Sequence, residues 1–288
     1  MFPDYPFTSH FHDINGLKLH YIDEGKGPVI VMIHGNPTWS FYYRNLVHKL
    51  KKDFRIIAID HIGCGLSDKP QNYPYTLRQH IDNARSLLDA LRIDTFSLVL
   101  HDWGGAIGMG VAVSRPQKVE KIVVMNTAAF RSSRMPFRIG ICRMGFIGKV
   151  LVRFFNGFAG PATFMAVTRK MSKEVKNAYL APYNSWKNRI ATHQFVVDIP
   201  ISDEHPSYTT LVEVEEGLQK IKENGVPLLI VWGGKDFCFN DSFYDEWKER
   251  FPDAQSTYYP DAGHYLLEDK KDEVNERIAT FFLSEGVD

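Results

Sequence analysis

Short apolar runs recur along the chain, and most are followed by a stretch with helical spacing. Continuous apolar segments at residues 29–33, 54–59, 96–100, 122–125 and 226–232 have the length and composition of strands buried on both faces. A further strand is expected around 257–259. Residues 76–91 carry the amphipathic spacing of a helix, 241–250 do so again, and a terminal helix is expected from Glu268 onward. Near the start, residues 10–25 alternate on either side of Asn15-Gly16, which predicts a hairpin. Ser40 stands where it could cap the helix after the strand at 29–33. Strand and helix alternating in this way imply a mostly parallel sheet flanked by helices on both faces. The alternation stops at about Arg131 and resumes near Val226. The expected organisation is therefore an α/β core formed by residues 1–130 and 211–288, with an inserted helical cap at 131–210. No internal repeat or low-complexity segment interrupts it.

The segment from Phe96 to Gly110 concentrates the chemistry. Its apolar run stops at Asp102, on a strand-to-helix corner, and the helix that follows holds Gly104, Gly105, Gly108 and Gly110. Glycine costs a helix about 1 kcal/mol relative to alanine, so close approach of backbone to strand is the expected reason for four of them. That is the pattern of a nucleophile elbow with aspartate in the serine position. Asp102 could instead be only a helix N-cap. No Gly-x-Ser-x-Gly occurs, which removes a serine nucleophile of this type.

Three loops, each expected at the carboxyl end of a strand, supply partners: Asn36, Asp236 and His264. The order Asp102, Asp236, His264 is the nucleophile, acid, histidine order of the α/β-hydrolase triad. Taken singly, Asp236 could be a turn former and His264 a loop histidine; the shared order and loop positions favour the triad. His34 is expected to stabilise its loop and His101 to point away from the elbow, and the remaining histidines have no constellation in the sequence. Composition adds limits. With 288 residues, 44% of them hydrophobic, and 34 basic against 34 acidic, the chain suits one large domain and gives no reason to expect nucleic acid. Cys64, Cys142 and Cys238 lack disulfide or zinc spacing and are expected to be structural. No secretory leader and no run of roughly 18 apolar residues is visible, so a cytoplasmic location is expected. No metal or cofactor motif is present, and none is expected.

His34-Gly35-Asn36-Pro37-Thr38-Trp39-Ser40, His101-Asp102-Trp103-Gly104-Gly105 and the late Asp236 and His264 together resemble the haloalkane dehalogenase family of α/β-hydrolases, over essentially the whole core. Asn126 stands where some dehalogenases place a glutamate, so the resemblance leaves Asp236 as the acid. Leu100 departs from the small residue often found there. The segments 177–190, 198–200, 126–130 and 236–239 are more narrowly similar to the β-lactone decarboxylases of bacterial long-chain olefin biosynthesis. The resemblance implies an Asp102–His264–Asp236 triad, an oxyanion hole from the Trp103 and Asn36 backbone N–H groups, and leaving-group donors in their side chains. A carboxylate of pKa about 3.9 is ionised at pH 7, so Asp102 could attack carbon without first losing a proton. The expected reaction is conversion of hydrophobic β-lactones to alkenes and CO2. Haloalkane hydrolysis through an aspartyl ester is the alternative and epoxide hydrolysis the third, the latter drawing on Tyr179, Tyr183 and Tyr208. A non-catalytic ligand-binding role is the contrasting class. The cap is rich in Ile and Phe and holds nine basic and no acidic residues between Arg131 and Lys173. A greasy pocket for a small hydrophobic substrate follows, and the charge is either a solvated face or a contact for olefin-pathway enzymes or a membrane surface.

Overall fold

The computed structural model describes residues 2–284. Eight strands form one sheet: β1 (His10–Ile14), β2 (Leu17–Glu24), β3 (Val29–Ile33), β4 (Arg55–Ile59), β5 (Phe96–Asp102), β6 (Val119–Thr127), β7 (Leu228–Gly233) and β8 (Gln255–Tyr259). Their spatial order is β1-β2-β4-β3-β5-β6-β7-β8. The β1–β2 and β2–β4 pairs are antiparallel and the rest parallel. Among the described residues the helices are α1 (Arg44–Leu50), α2 (Leu77–Ala90), α3 (Trp103–Ser114), α4 (Phe137–Arg143), α5 (Gly145–Arg153), α6 (Ala159–Met165), α7 (Lys173–Leu180), α8 (Ile190–Val197), α9 (Tyr208–Glu223), α10 (Asp241–Arg250), α11 (Leu266–Asp269) and α12 (Lys271–Leu283). None of them is long and apolar enough to cross a membrane.

The central strands β3, β5 and β7 are buried along nearly their whole length because helices cover both sheet faces, and a separate apolar cluster fills each side. β8 closes one edge and is polar and largely exposed. At the hairpin tip, Asn15 and Gly16 both adopt positive φ, as a two-residue turn of this hand requires. Parallel register sets Ile33 beside Ile59 and Leu100, so the loops after β3, β4 and β5 emerge together. Helices α4 to α8 lie between β6 and β7 in sequence, where the cap was expected. α9 begins at Tyr208 and packs on α3, a core helix.

Two local expectations fail. Ser40 is not a helix cap: the turn over Ser40–Tyr43 is a 3-10 helix preceded by Trp39, and the Ser40 hydroxyl pairs instead with the Tyr5 hydroxyl at 2.6 Å. The terminal helix is broken at Lys270 into α11 and α12.

The Ser40 backbone N–H is held by Asp60, at the end of β4. Asp60 is fully buried. Its Oδ1 accepts from Ser40 N–H at 2.7 Å, and its Oδ2 accepts from Leu66 N–H and from His20 Nδ1, both at 2.8 Å. One carboxylate thereby ties β2 to β4 and fixes two loops at the functional end of the sheet. Burial pushes its pKa up, but the His20 imidazole and the hydrogen bonds outweigh that and hold it at about 2. A folded-state pKa below the ordinary 3.8 means the stabilisation is present above that value and lost as pH falls through about 2. We expect Asp60→Asn to lower unfolding stability at neutral pH by about 3 kcal/mol in urea titrations, since it leaves a buried partner unpaired. The gap from the native protein should narrow as pH falls toward 2. A loss at neutral pH below about 1 kcal/mol, the range of an exposed pair, would contradict this role.

Candidate active site

β5 runs directly into α3, and the corner residue is Asp102, at φ 54° and ψ −127°. A non-glycine residue in this region stores about 1–3 kcal/mol of strain, and such positions concentrate at functional sites. The corner is possible because the first turn of α3 has no bulk. A Cβ on Gly104 would overlap the Ile33 carbonyl, and one on Gly105 would overlap Thr127 Oγ1. Gly108 makes room for the Leu100 side chain, which accounts for a larger residue being tolerated beneath the elbow. The Asp102 side chain makes no capping hydrogen bond to α3, so the N-cap alternative fails. Its main-chain carbonyl accepts instead from the Thr127 hydroxyl.

The Asp102 carboxylate is gripped from the neighbouring loop. Oδ1 accepts the Asn36 backbone N–H at 2.5 Å, and Gly35 must lack a Cβ because one would overlap this same oxygen. Oδ2 faces His264 Nε2 at 3.6 Å. On its other side His264 donates from Nδ1 to Asp236 Oδ2 at 2.6 Å, while Asp236 Oδ1 accepts the Cys238 N–H at 2.7 Å. Asp236 is thus both the turn former and the partner of the histidine. All three side chains are buried. Asn126 is occupied elsewhere, bonding the Gly233 backbone through both Oδ1 and Nδ2, so it bridges β6 to β7.

Burial raises the Asp102 pKa above the usual aspartate value, although His264 and the Trp103 and Asn36 backbone N–H groups pull it down. For His264 burial disfavours the charged ring, but Asp236 and then Asp102 more than compensate and hold its pKa above the usual histidine value. Such an arrangement supplies a desolvated carboxylate, an imidazole oriented by a second carboxylate, and a backbone donor already on one carboxylate oxygen.

Asn36 and Trp103 line the same cavity as Asp102 and His264. Both are set by α8, which sequence reasoning did not single out. The Thr192 carbonyl accepts from Asn36 Nδ2 at 3.0 Å, leaving that amide its second N–H, and the Phe195 ring lies 5.3 Å from the Trp103 ring. His34 stabilises its loop as expected, its Nδ1 bonding the Gly35 carbonyl at 2.7 Å and its Nε2 accepting the His61 N–H at 3.2 Å. His101 proves closer to the site than expected. Its Nε2 bonds the His264 carbonyl at 2.9 Å, its ring lies 4.5 Å from that of His264, and burial keeps it neutral. His20 and His61 therefore do have partners, contrary to the sequence expectation. On the far side, Asp269 accepts the Gly263 N–H and the Thr168 N–H, tying the His264 loop to the segment between α6 and α7.

The cavity is about 400 Å³ and lies between Asp102 and His264 on one side and residues of α4, α5, α6 and α8 on the other. Away from Asp102 and His264 its wall is dominated by side chains such as Ala106, Phe130, Leu151, Phe158, Val196 and Phe243. Cys142 and Cys238 also line it, and all three cysteines are free thiols. Tyr179 and Tyr183 do not line it: their hydroxyls are given to Glu268 and to the Thr38 carbonyl. Tyr208 lies outside the wall as well. Among the described residues no group of three or more His, Cys, Asp or Glu could hold a metal ion.

Residues 28–271 match the model of the α/β-hydrolase fold. The chain is 48% identical to the cis-3-alkyl-4-alkyloxetan-2-one decarboxylase of Shewanella oneidensis, over 96% of this chain and 88% of that protein. It is 31% identical to haloalkane dehalogenase 2 of Mycobacterium tuberculosis, over 96% of each. In structure it is similar to the haloalkane dehalogenase DatA of Agrobacterium tumefaciens, with a TM-score of 0.86 at 23% identity over 95% of both chains. The chain belongs to the α/β-hydrolase-fold family, within the branch that holds the haloalkane dehalogenases.

Proposed function

We propose that this chain is a β-lactone decarboxylase that converts hydrophobic cis-3-alkyl-4-alkyloxetan-2-ones to alkenes and CO2, with Asp102 as nucleophile, His264 and Asp236 completing the triad, and the helices between residues 131 and 210 acting as a cap. The observation that carries the reading is the desolvated, pre-held Asp102 carboxylate facing an apolar cavity, together with near-half identity to a protein bearing that name. Asp102 Oδ2, the oxygen not held by the Asn36 backbone, attacks the alkyl-bearing ring carbon C4. The C4–O bond breaks, and its electron pair passes to the ring oxygen as a carboxylate. The second Asn36 side-chain N–H and the Trp103 indole N–H stabilise that anion. The C2–C3 bond then breaks and its pair forms the C3=C4 double bond. As it does, the C4–Oδ2 bond releases its pair to Asp102, and CO2 and alkene leave. No water or net proton is consumed.

Attack on ring carbon rather than on the lactone carbonyl is favoured by one contact. The Asn36 backbone N–H is already bound to Asp102 Oδ1, so an oxyanion formed on the substrate carbonyl would lack this donor.

Haloalkane hydrolysis is the second reading, favoured by His264 Nε2 facing the Asp102 carboxylate, where it could deprotonate a water attacking an aspartyl ester. The epoxide reading loses its support because Tyr179 and Tyr183 are bonded away from the cavity. Incubation with a long-chain cis-β-lactone is expected to give alkene and CO2, and incubation with 1-bromobutane little or no bromide. Bromide release without alkene would reverse the order of the two readings.

Only ionised Asp102 can attack, so kcat/KM for the lactone should rise with pH through an apparent pKa above the ordinary 3.8 of aspartate, because burial raises it. An acid limb at or below 3.8 would contradict a buried nucleophile.

A further inference from the structure

The outer face of α4, α5 and α6 is unlike the rest of the surface. Phe137, Phe146, Ile147, Phe154, Phe155 and Phe164 are exposed there, Phe137 at 82% and Phe146 at 78%. Phe146 and Ile147 stand exposed at the start of α5, and Phe154 and Phe155 stand exposed just after its end. Large exposed apolar patches mark surfaces that meet another apolar phase. Along the segment that forms this one the charge has a single sign: no acidic residue occurs between Arg131 and Lys173. Exposed Arg134, Arg138, Lys149, Arg169 and Lys170 form no ion pair with any carboxylate among the described residues.

The patch is continuous with the cavity mouth. Arg134, Pro136 and Arg138 line the cavity and flank Phe137, and Met165 lines it next to exposed Phe164. Across the opening Arg138 Nη1 reaches the Met165 sulfur at 3.8 Å, so α4 and α6 meet at this rim. Aromatic side chains ringed by unpaired lysine and arginine fit the acyl–headgroup boundary of an anionic bilayer: the rings enter the apolar layer while the cations meet lipid phosphates.

We infer that α4, α5 and α6 dock this protein on anionic lipid surfaces, with the cavity mouth against the bilayer so that a hydrophobic substrate enters from the acyl layer. Docking stands on the patch and its charge alone; the delivery of substrate rests on the lactone reading. A protein partner would be expected to offer carboxylates, and a second copy of this chain would bring the same basic face to an equally basic one. The charge pattern therefore favours lipid over self-association.

Co-sedimentation with vesicles tests this without any turnover. The full chain is expected to bind phosphatidylcholine vesicles containing phosphatidylglycerol at least about tenfold more tightly than pure phosphatidylcholine vesicles, and to be released by salt. Phe146→Ser with Phe155→Ser, and separately Lys149→Glu, should each weaken that binding about tenfold. None of these three residues lines the cavity, so conversion of a short-chain β-lactone in vesicle-free buffer should be unchanged, which also shows the variants fold. The proposal is overturned by absent binding, by equal binding to both vesicle types, by variants that bind like the native chain, or by an oligomer in gel filtration that the double variant dissolves without any vesicle affinity. Vesicle binding without alkene formation would retire the lactone reading and leave the docking intact.

Discussion

A single hydrogen bond, from the Asn36 backbone N–H to Asp102 Oδ1 at 2.5 Å, joins the two loops on which the site depends. It requires the β3 and β5 carboxyl ends to lie side by side, which parallel register provides. It requires Gly35 to have no side chain and Gly104 to let α3 press against the Ile33 carbonyl. It also requires Asp102 to sit in a backbone region that costs energy, about 1–3 kcal/mol offset by packing all around it. The carboxylate that results is buried and aimed, with one oxygen held and the other left toward the cavity and His264. Desolvation with only partial hydrogen bonding is what the proposed role of Asp102 as nucleophile calls for.

The segment between β6 and β7 contributes geometry as well as cavity wall. Its α8 backbone bonds the Asn36 amide, Phe195 packs on Trp103, and Ala166 and Thr168 hold the loop that carries His264 and Asp269. Asn36, Trp103 and the His264 loop are therefore positioned by these helices as well as by the sheet. The same segment walls the cavity with apolar side chains and carries an exposed aromatic and basic face. Asp102, His264, the cavity and the outer surface are thus contiguous, as the proposed entry of a hydrophobic substrate needs.

Much of the site was legible in sequence because the signals were local. Asp102 ended an apolar run before clustered glycines, and Asp236 and His264 each followed a strand in the order the fold demands. What escaped depended on pairing between distant segments. Thr192 lies 156 residues from Asn36, and His20 lies 40 from Asp60, so no spacing rule could join them. His101 was read from strand alternation alone, which placed its ring beneath the elbow but gave no sign that the His264 loop crosses there. Ser40 looked like a cap, yet Asp60 and Tyr5 took both of its polar groups. Strand ends were also short of the mark: β6 extends over Val119–Thr127 because pairing with β5 continues beyond the apolar run at both ends.

Whether Asp102 forms the bond to substrate carbon is the claim on which everything else turns. Acid quenching of early turnover with a long-chain cis-β-lactone, followed by mass spectrometry of the peptide containing Asp102, tests it directly. The expected result is a mass gain equal to the whole lactone on Asp102 in the native protein, with neither adduct nor alkene in Asp102→Asn. An adduct on a different side chain, or alkene formed by Asp102→Asn at the native rate, would contradict it.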